Sequence, residues 1–116
     1  MSSRFDNISR ILGVLVAERE SYSYVDKVGY APSRDTLLFY LKEAFRDFNS
    51  LLSSGFENTT AGSEAKRVNL REAERELLEI ESINDRRKLR EVSSLISSRA
   101  LLIAARLMGR EEGGGE

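Results

Sequence analysis

Cysteine and histidine are both missing from this 116-residue sequence. Without cysteine there is no disulfide, no thiolate nucleophile and no cysteine-based zinc site. Without histidine the commonest general base and metal ligand are gone, and a Ser-His-Asp triad is excluded. Tryptophan is also absent, proline occurs once, and only 8% of residues are aromatic. No glycine-rich phosphate loop is present, because the one glycine cluster, "GREEGGGE", follows a helical stretch rather than opening one. No run approaches the roughly 18–20 continuous apolar residues of a membrane span. The start, "MSSRFDNISR", lacks the charged-then-apolar layout of a signal peptide. Charge of one sign is lacking too, with 18 basic and 19 acidic residues and a net charge of -1. Any catalysis would rest on carboxylates, Ser, Tyr, Lys or Arg alone. The expectation is a cytoplasmic, non-enzymatic binding or assembly protein with no cofactor, metal, membrane or small-molecule substrate.

What is present is a hydrophobic fraction of 41% arranged at helical spacing. That suits a single all-α domain, a helical bundle over residues 1–108, followed by a flexible Gly/Glu-rich tail or linker at 109–116. Ile8, Ile11, Leu12 and Leu15 form the stripe of a first helix, with Arg19 and Tyr22 on the same track and Asp6 or Asn7 as its cap. Gly13 costs that helix about 1 kcal/mol and is read as tolerated there, with a close approach of another backbone as the alternative. "SYSYVDKVGYAPS" reads as a loop punctuated by Gly29 and Pro32. Its three tyrosines are expected to lid the core, with a partner-facing patch as the alternative. Ser33 caps a second helix, in which Leu37, Leu41, Ala44, Phe48 and Leu51 or Leu52 face inward and Gly55 ends the run. "GFENTTAGS" reads as a flexible loop whose Asn58 fits a glycosylation pattern that an intracellular protein does not use.

From Ser63 to about Met108 the pattern is helical almost throughout. As one rod it would run about 65–70 Å, so it must either project from the domain or break and fold back. Leu70, Ala73, Leu77 and Ile80 define one apolar seam, whereas Leu89, Val92, Ile96, Ile103 and Leu107 define another, rotated by roughly 100°. Between them lie Asn84, Arg87 and Lys88. "SIND" has the form of a capping box, Ser82 with Asp85 three residues on, which would start a new helix there. Against a break, Glu79 and Glu81 would end one helix and Arg86, Arg87 and Lys88 begin the next, both against the macrodipole. One helix or two remains open at this level.

Seven basic residues and one acidic residue fall between Arg86 and Arg110. Arg86, Arg87, Lys88, Arg90 and Arg99 make a candidate basic stripe, with Arg106 and Arg110 beyond it. Ser93, Ser94, Ser97 and Ser98 add possible phosphate donors. No aromatic residue lies in this half, so base stacking is not expected. The favoured reading pairs the stripe with the seven acidic residues between Glu64 and Asp85, in this chain or a partner. Glu72, Glu76 and Glu79 share one helix face, but no Glu-x-x-His motif accompanies them, so a solvated acidic surface is expected rather than a metal site.

The order of parts resembles the helical A domain of GINS, the replication-helicase accessory complex of archaea and eukaryotes. The resemblance runs through "LVAERES", the Leu-rich "LLFYLKEAF" and "EAERELLEI…RRKL", with Arg87, Lys88, Leu89 and Ser93 on a basic-aliphatic run. It implies an archaeal, A-domain-first subunit whose B domain is not in this chain. Such a subunit forms homo- or hetero-oligomers and bridges the MCM helicase and its partner factor at the nucleoid. Leu89, Val92, Ile96, Ile103 and Leu107 are then the candidate subunit interface. The alternative is a helical nucleic-acid-binding module, such as a small subunit of an RNA-guided effector complex.

Overall fold

Helix α1 (Asp6–Arg19) is the strand of sequence around which everything else is wound. Every residue from Ile8 to Val16 except the half-buried Arg10 is buried, not one stripe alone, because α1 touches each of the other five helices. The computed structural model describes residues 4–55 and 59–113, with side chains to Gly109. The remaining helices are α2 (Ser23–Gly29), α3 (Arg34–Ser53), α4 (Thr60–Ala65), α5 (Leu70–Glu81) and α6 (Arg86–Gly113). The class is all-α, with a long C-terminal helix running the length of the molecule. At 28 residues α6 spans about 42 Å, close to the longest extent of 46 Å.

Two sequence expectations meet corrections here. "SYSYVDKVGYAPS" is not simply a loop, since Ser23–Gly29 forms α2 and buries Val25 and Val28. Within "GFENTTAGS", Thr59 caps α4, its hydroxyl accepting from Gly62 N at 2.8 Å. Asn58 lies outside the described residues. The long helical stretch is broken twice, at residues 66–69 and 82–85. The two seams therefore belong to different helices: Ala73 and Ile80 are buried on α5, Val92, Ile96 and Leu107 on α6. The chain folds back rather than projecting. Residues 109–113, expected as tail, continue α6, and 114–116 lie outside the described residues.

The second break answers the capping question differently from "SIND" as a box. Ser82 ends α5, its hydroxyl donating to the Glu79 carbonyl at 2.7 Å. Asp85 starts α6, its carboxylate accepting from Arg87 N at 2.9 Å. The unfavourable charges at the acidic end of α5 are offset from α3. Arg34 Nη1 donates to the carbonyls of Glu81 and Ile83, each at 3.1 Å, and to Asn84 Oδ1 at 3.2 Å. A cation at the carbonyl end of α5 satisfies orphan acceptors and opposes the like-signed dipole.

Helix α3 follows its pattern closely. Ser33 Oγ accepts from Thr36 N, Leu37, Leu41, Ala44 and Phe48 are buried, and Gly55 sits at φ 78 just past the C-cap. Gly13 is more than tolerated. A Cβ there would lie 2.6 Å from Ile103 Cγ2 and 3.1 Å from the Ala100 carbonyl oxygen, so α1 and α6 cross at backbone contact. Ala100 and Ala104 line the same crossing and are fully buried.

Carboxylates expected to be solvated tie the helices together instead. α1 has no local side-chain cap. In its place Glu76 of α5 accepts from Ile8 N at 2.9 Å and from Asn7 Nδ2 at 3.1 Å, a capping carboxylate brought from 68 residues away. Glu79 binds Arg4. Glu64 of α4, only 6% exposed, accepts from Arg10 Nε at 2.8 Å and Arg106 Nη2 at 3.4 Å. Burial by itself lowers the Arg10 pKa, but the Glu64 hydrogen bond and the Asp6 and Glu64 charges outweigh it and leave the guanidinium above its ordinary value.

Candidate docking surfaces

The five apolar residues expected at a subunit interface lie elsewhere. Val92, Ile96 and Leu107 are buried in the chain's own core, and Leu89 and Ile103 are partly buried against it. That face of α6 meets α1 and α2 and is largely taken up by the chain's own core, although Leu89 at its start also lines a groove. The opposite face carries Leu95, Leu101 and Leu102, the last 71% exposed. On a helical wheel Ser94, Ser98 and Ala105 join them, all exposed. From Ser94 to Ala105 this band rises about 17 Å along α6 without a charged side chain on it. Small residues beside leucines let a second helix approach closely.

Residues 86–109 of α6 are also long and apolar enough, by composition, to cross a membrane, although only a third of the most apolar window is buried. Two of its arginines have partners in the fold. Arg99 donates to the Arg4 carbonyl at 2.9 Å, and Arg106 reaches Glu64. This helix is the long wall of the bundle with one side left uncovered.

The basic stripe separates into two parts. Arg99 and Arg106 serve the fold, and the Arg110 side chain lies outside the described residues. Arg86, Arg87, Lys88 and Arg90 are exposed and, among the described residues, make no ion pair. The expected pairing with the preceding acids holds only for Arg106 and Glu64. Glu64, Glu72, Glu76 and Glu79 are engaged by Arg10, Arg75, the start of α1 and Arg4. The remaining four cations occupy the first turns of a helix, where the macrodipole disfavours each by about 0.3–1 kcal/mol.

Tertiary folding then places an aromatic beside them. Gly29, Tyr30, Ala31 and Pro32, between α2 and α3, form one wall of a cavity of about 440 Å³ whose other wall is Arg86, Leu89, Arg90 and Ser93. A second hollow of about 330 Å³ shares Pro32, Arg86 and Leu89 with it and continues to Asp35 and Asp85. Tyr30 is 84% exposed at the rim. Of the three tyrosines expected as a lid, only Tyr24 behaves as one, its hydroxyl bound to Asp47, whereas Tyr22 and Tyr30 face outward. The Gly29–Pro32 punctuation was visible in the sequence. Nothing local signalled that it would meet residue 86.

No family model matches this sequence, and no solved structure matches it. Over 106 residues it is 46% identical to an uncharacterized protein of Archaeoglobus fulgidus, covering 90% of this chain and 91% of that one. The chain belongs to that protein's family. The match extends over nearly the whole length of both chains.

Proposed function

We propose that this protein is a non-enzymatic scaffold subunit of the GINS type, which assembles with other protein subunits at the replicative MCM helicase inside the cell. The observation that carries the reading is the uncharged Leu95–Leu101–Leu102 face of a helix whose opposite side packs on the core. Supporting it, Glu64, Glu76 and Glu79 of α4 and α5 are taken up in holding other segments in place. An archaeal relative is consistent with the same setting. Scaled to their exposure, burying Leu102 against a partner helix is worth about 1–2 kcal/mol, and Leu95 and Leu101 about 0.5–1 kcal/mol each.

The test is reconstitution. Mixed with the GINS and MCM proteins of its own host, the chain is expected to elute with them as a defined oligomer in light scattering. Leu95→Glu with Leu102→Glu is expected to abolish co-elution while leaving the unfolding midpoint unchanged within error, because both positions are exposed. A chain that stays monomeric at high concentration in every mixture refutes the reading.

A further inference from the structure

The groove at the start of α6 has three properties that point to one class of occupant. Its floor is aliphatic, made by Ala31, Pro32, Leu37 and Leu89. Its edges carry Arg86 and Arg90, four residues apart on one side of α6, with Arg87 and Lys88 on the adjoining surface. Tyr30 stands at the rim with most of its ring in solvent. A volume of about 440 Å³ lies within the range of pre-formed ligand sites and suits one or two side chains. Tyr and Arg around an apolar depression are the residues that dominate protein-binding hot spots.

The local energetics add to this. Cations at a helix N-terminus oppose the dipole, and among the described residues no carboxylate forms an ion pair with them, since Asp85 accepts from Arg87 N and Asp35 lines only the adjoining hollow. Local rules of this kind are broken where a surface serves something other than stability. An anionic occupant would relieve the repulsion. A nucleic-acid strand fits less well than a peptide. The free cations span one turn rather than a track of successive phosphates, and a single tyrosine offers one stacking platform where strand binders use several. The Ser93 hydroxyl already donates to the Arg90 carbonyl.

We propose that this groove receives an extended acidic peptide segment of a partner protein. One apolar side chain enters over Leu89 between Tyr30 and Pro32, and flanking Asp or Glu carboxylates pair with Arg86 and Arg90. The site lies at the end of α6 away from the leucine face, so it stands or falls separately from the assembly reading.

The test uses the full chain, labelled with ¹⁵N, and synthetic hexapeptides in which one Leu, Ile, Phe, Met or Tyr is flanked by Asp and Glu. Matched peptides carry Ser at the apolar position, or Lys and Arg as flanks, and an oligothymidine strand completes the set. At least one acidic-apolar peptide is expected to shift the amides of residues 29–33 and 86–93. Its affinity should be at least tenfold above that of its Ser counterpart, with no shifts from the basic peptide. Arg86→Glu with Arg90→Glu is expected to weaken it at least tenfold, Arg86→Lys with Arg90→Lys only severalfold, and Tyr30→Ala severalfold. The charge-reversed variant should melt no lower than wild type, since it puts acids at a helix N-terminus. Leu95→Glu with Leu102→Glu should leave peptide binding intact. Absence of shifts with all five acidic peptides at millimolar concentration overturns the proposal. So does binding that ignores the arginine reversal, and an oligothymidine affinity above every peptide reassigns the groove to nucleic acid.

Discussion

Replacing Gly13 by alanine probes the crossing on which the whole bundle depends. Alanine in the middle of a helix is better than glycine by about 1 kcal/mol, so a glycine that were merely tolerated would make Gly13→Ala stabilising. The geometry reverses that sign. The new methyl would sit 2.6 and 2.8 Å from Ile103 Cγ2 and Cβ, and 3.1 Å from the Ala100 carbonyl oxygen. Neither Ile103 Cβ nor a helix backbone oxygen can swing aside, so α1 and α6 must separate. Overpacking of this kind costs about 1–3 kcal/mol, leaving a net loss of up to about 2 kcal/mol once the propensity gain is subtracted. For a domain of this size that lowers the melting midpoint by several degrees. Gly109→Ala is the matched control, because no heavy atom lies within 4 Å of its Cβ and it too lies within a helix. It should raise stability by up to about 1 kcal/mol. Urea unfolding followed by helical circular dichroism measures both, with an unchanged m-value expected. A Gly13→Ala midpoint at or above wild type would refute the close crossing.

Two further outcomes follow from buried polar contacts, and both are read in the same unfolding assay. Glu64→Ala leaves Arg10 and Arg106 facing each other without their shared carboxylate. Discounted for the half-exposed Arg106, the loss should be about 2–3 kcal/mol, and Glu64→Gln should recover part of it. Tyr24 gives the pH dependence. Burial and the Asp47 hydrogen bond push its phenol from 10.0 up to about 12, so above pH 10 the unfolded chain releases a proton that the folded chain keeps. Folded stability contributed by this group is thus complete below pH 10 and is lost as pH rises toward 12. Tyr24→Phe should flatten the difference between stability at pH 9 and pH 11, and equal slopes for the two proteins would contradict the assignment.

Several features of the fold are legible one residue at a time. The Ser33 cap, the Leu37–Leu41–Ala44–Phe48 face and the left-handed Gly55 bound α3 because capping and helical periodicity act within a few residues. The missing cysteine and histidine narrow the chemistry in the same local sense. The candidate sites are less legible. A wheel shows that α6 has an apolar stripe, yet Val92 and Leu102 both read as hydrophobic. Only packing against α1 decides that the first is buried and the second faces outward. The basic cluster is plain in the sequence, whereas its aromatic neighbour lies more than fifty residues earlier.

Composition and short-range spacing alone thus determine an all-helical chain with its helix starts, its apolar faces and its lack of the usual catalytic groups. These depend on interactions between residues three or four apart. The three-dimensional packing decides the rest. It breaks the chain after Glu81, where Arg34 of α3 supplies the cation that the acidic carbonyl end of α5 needs. It brings Glu76 to cap α1 and Glu64 to join Arg10 and Arg106. It turns Gly13 from a weak helix residue into the point where two backbones meet, and it sets Tyr30 across a groove from Arg86. Each of these joins residues some fifty to ninety positions apart, a separation over which neither propensity nor periodicity carries information.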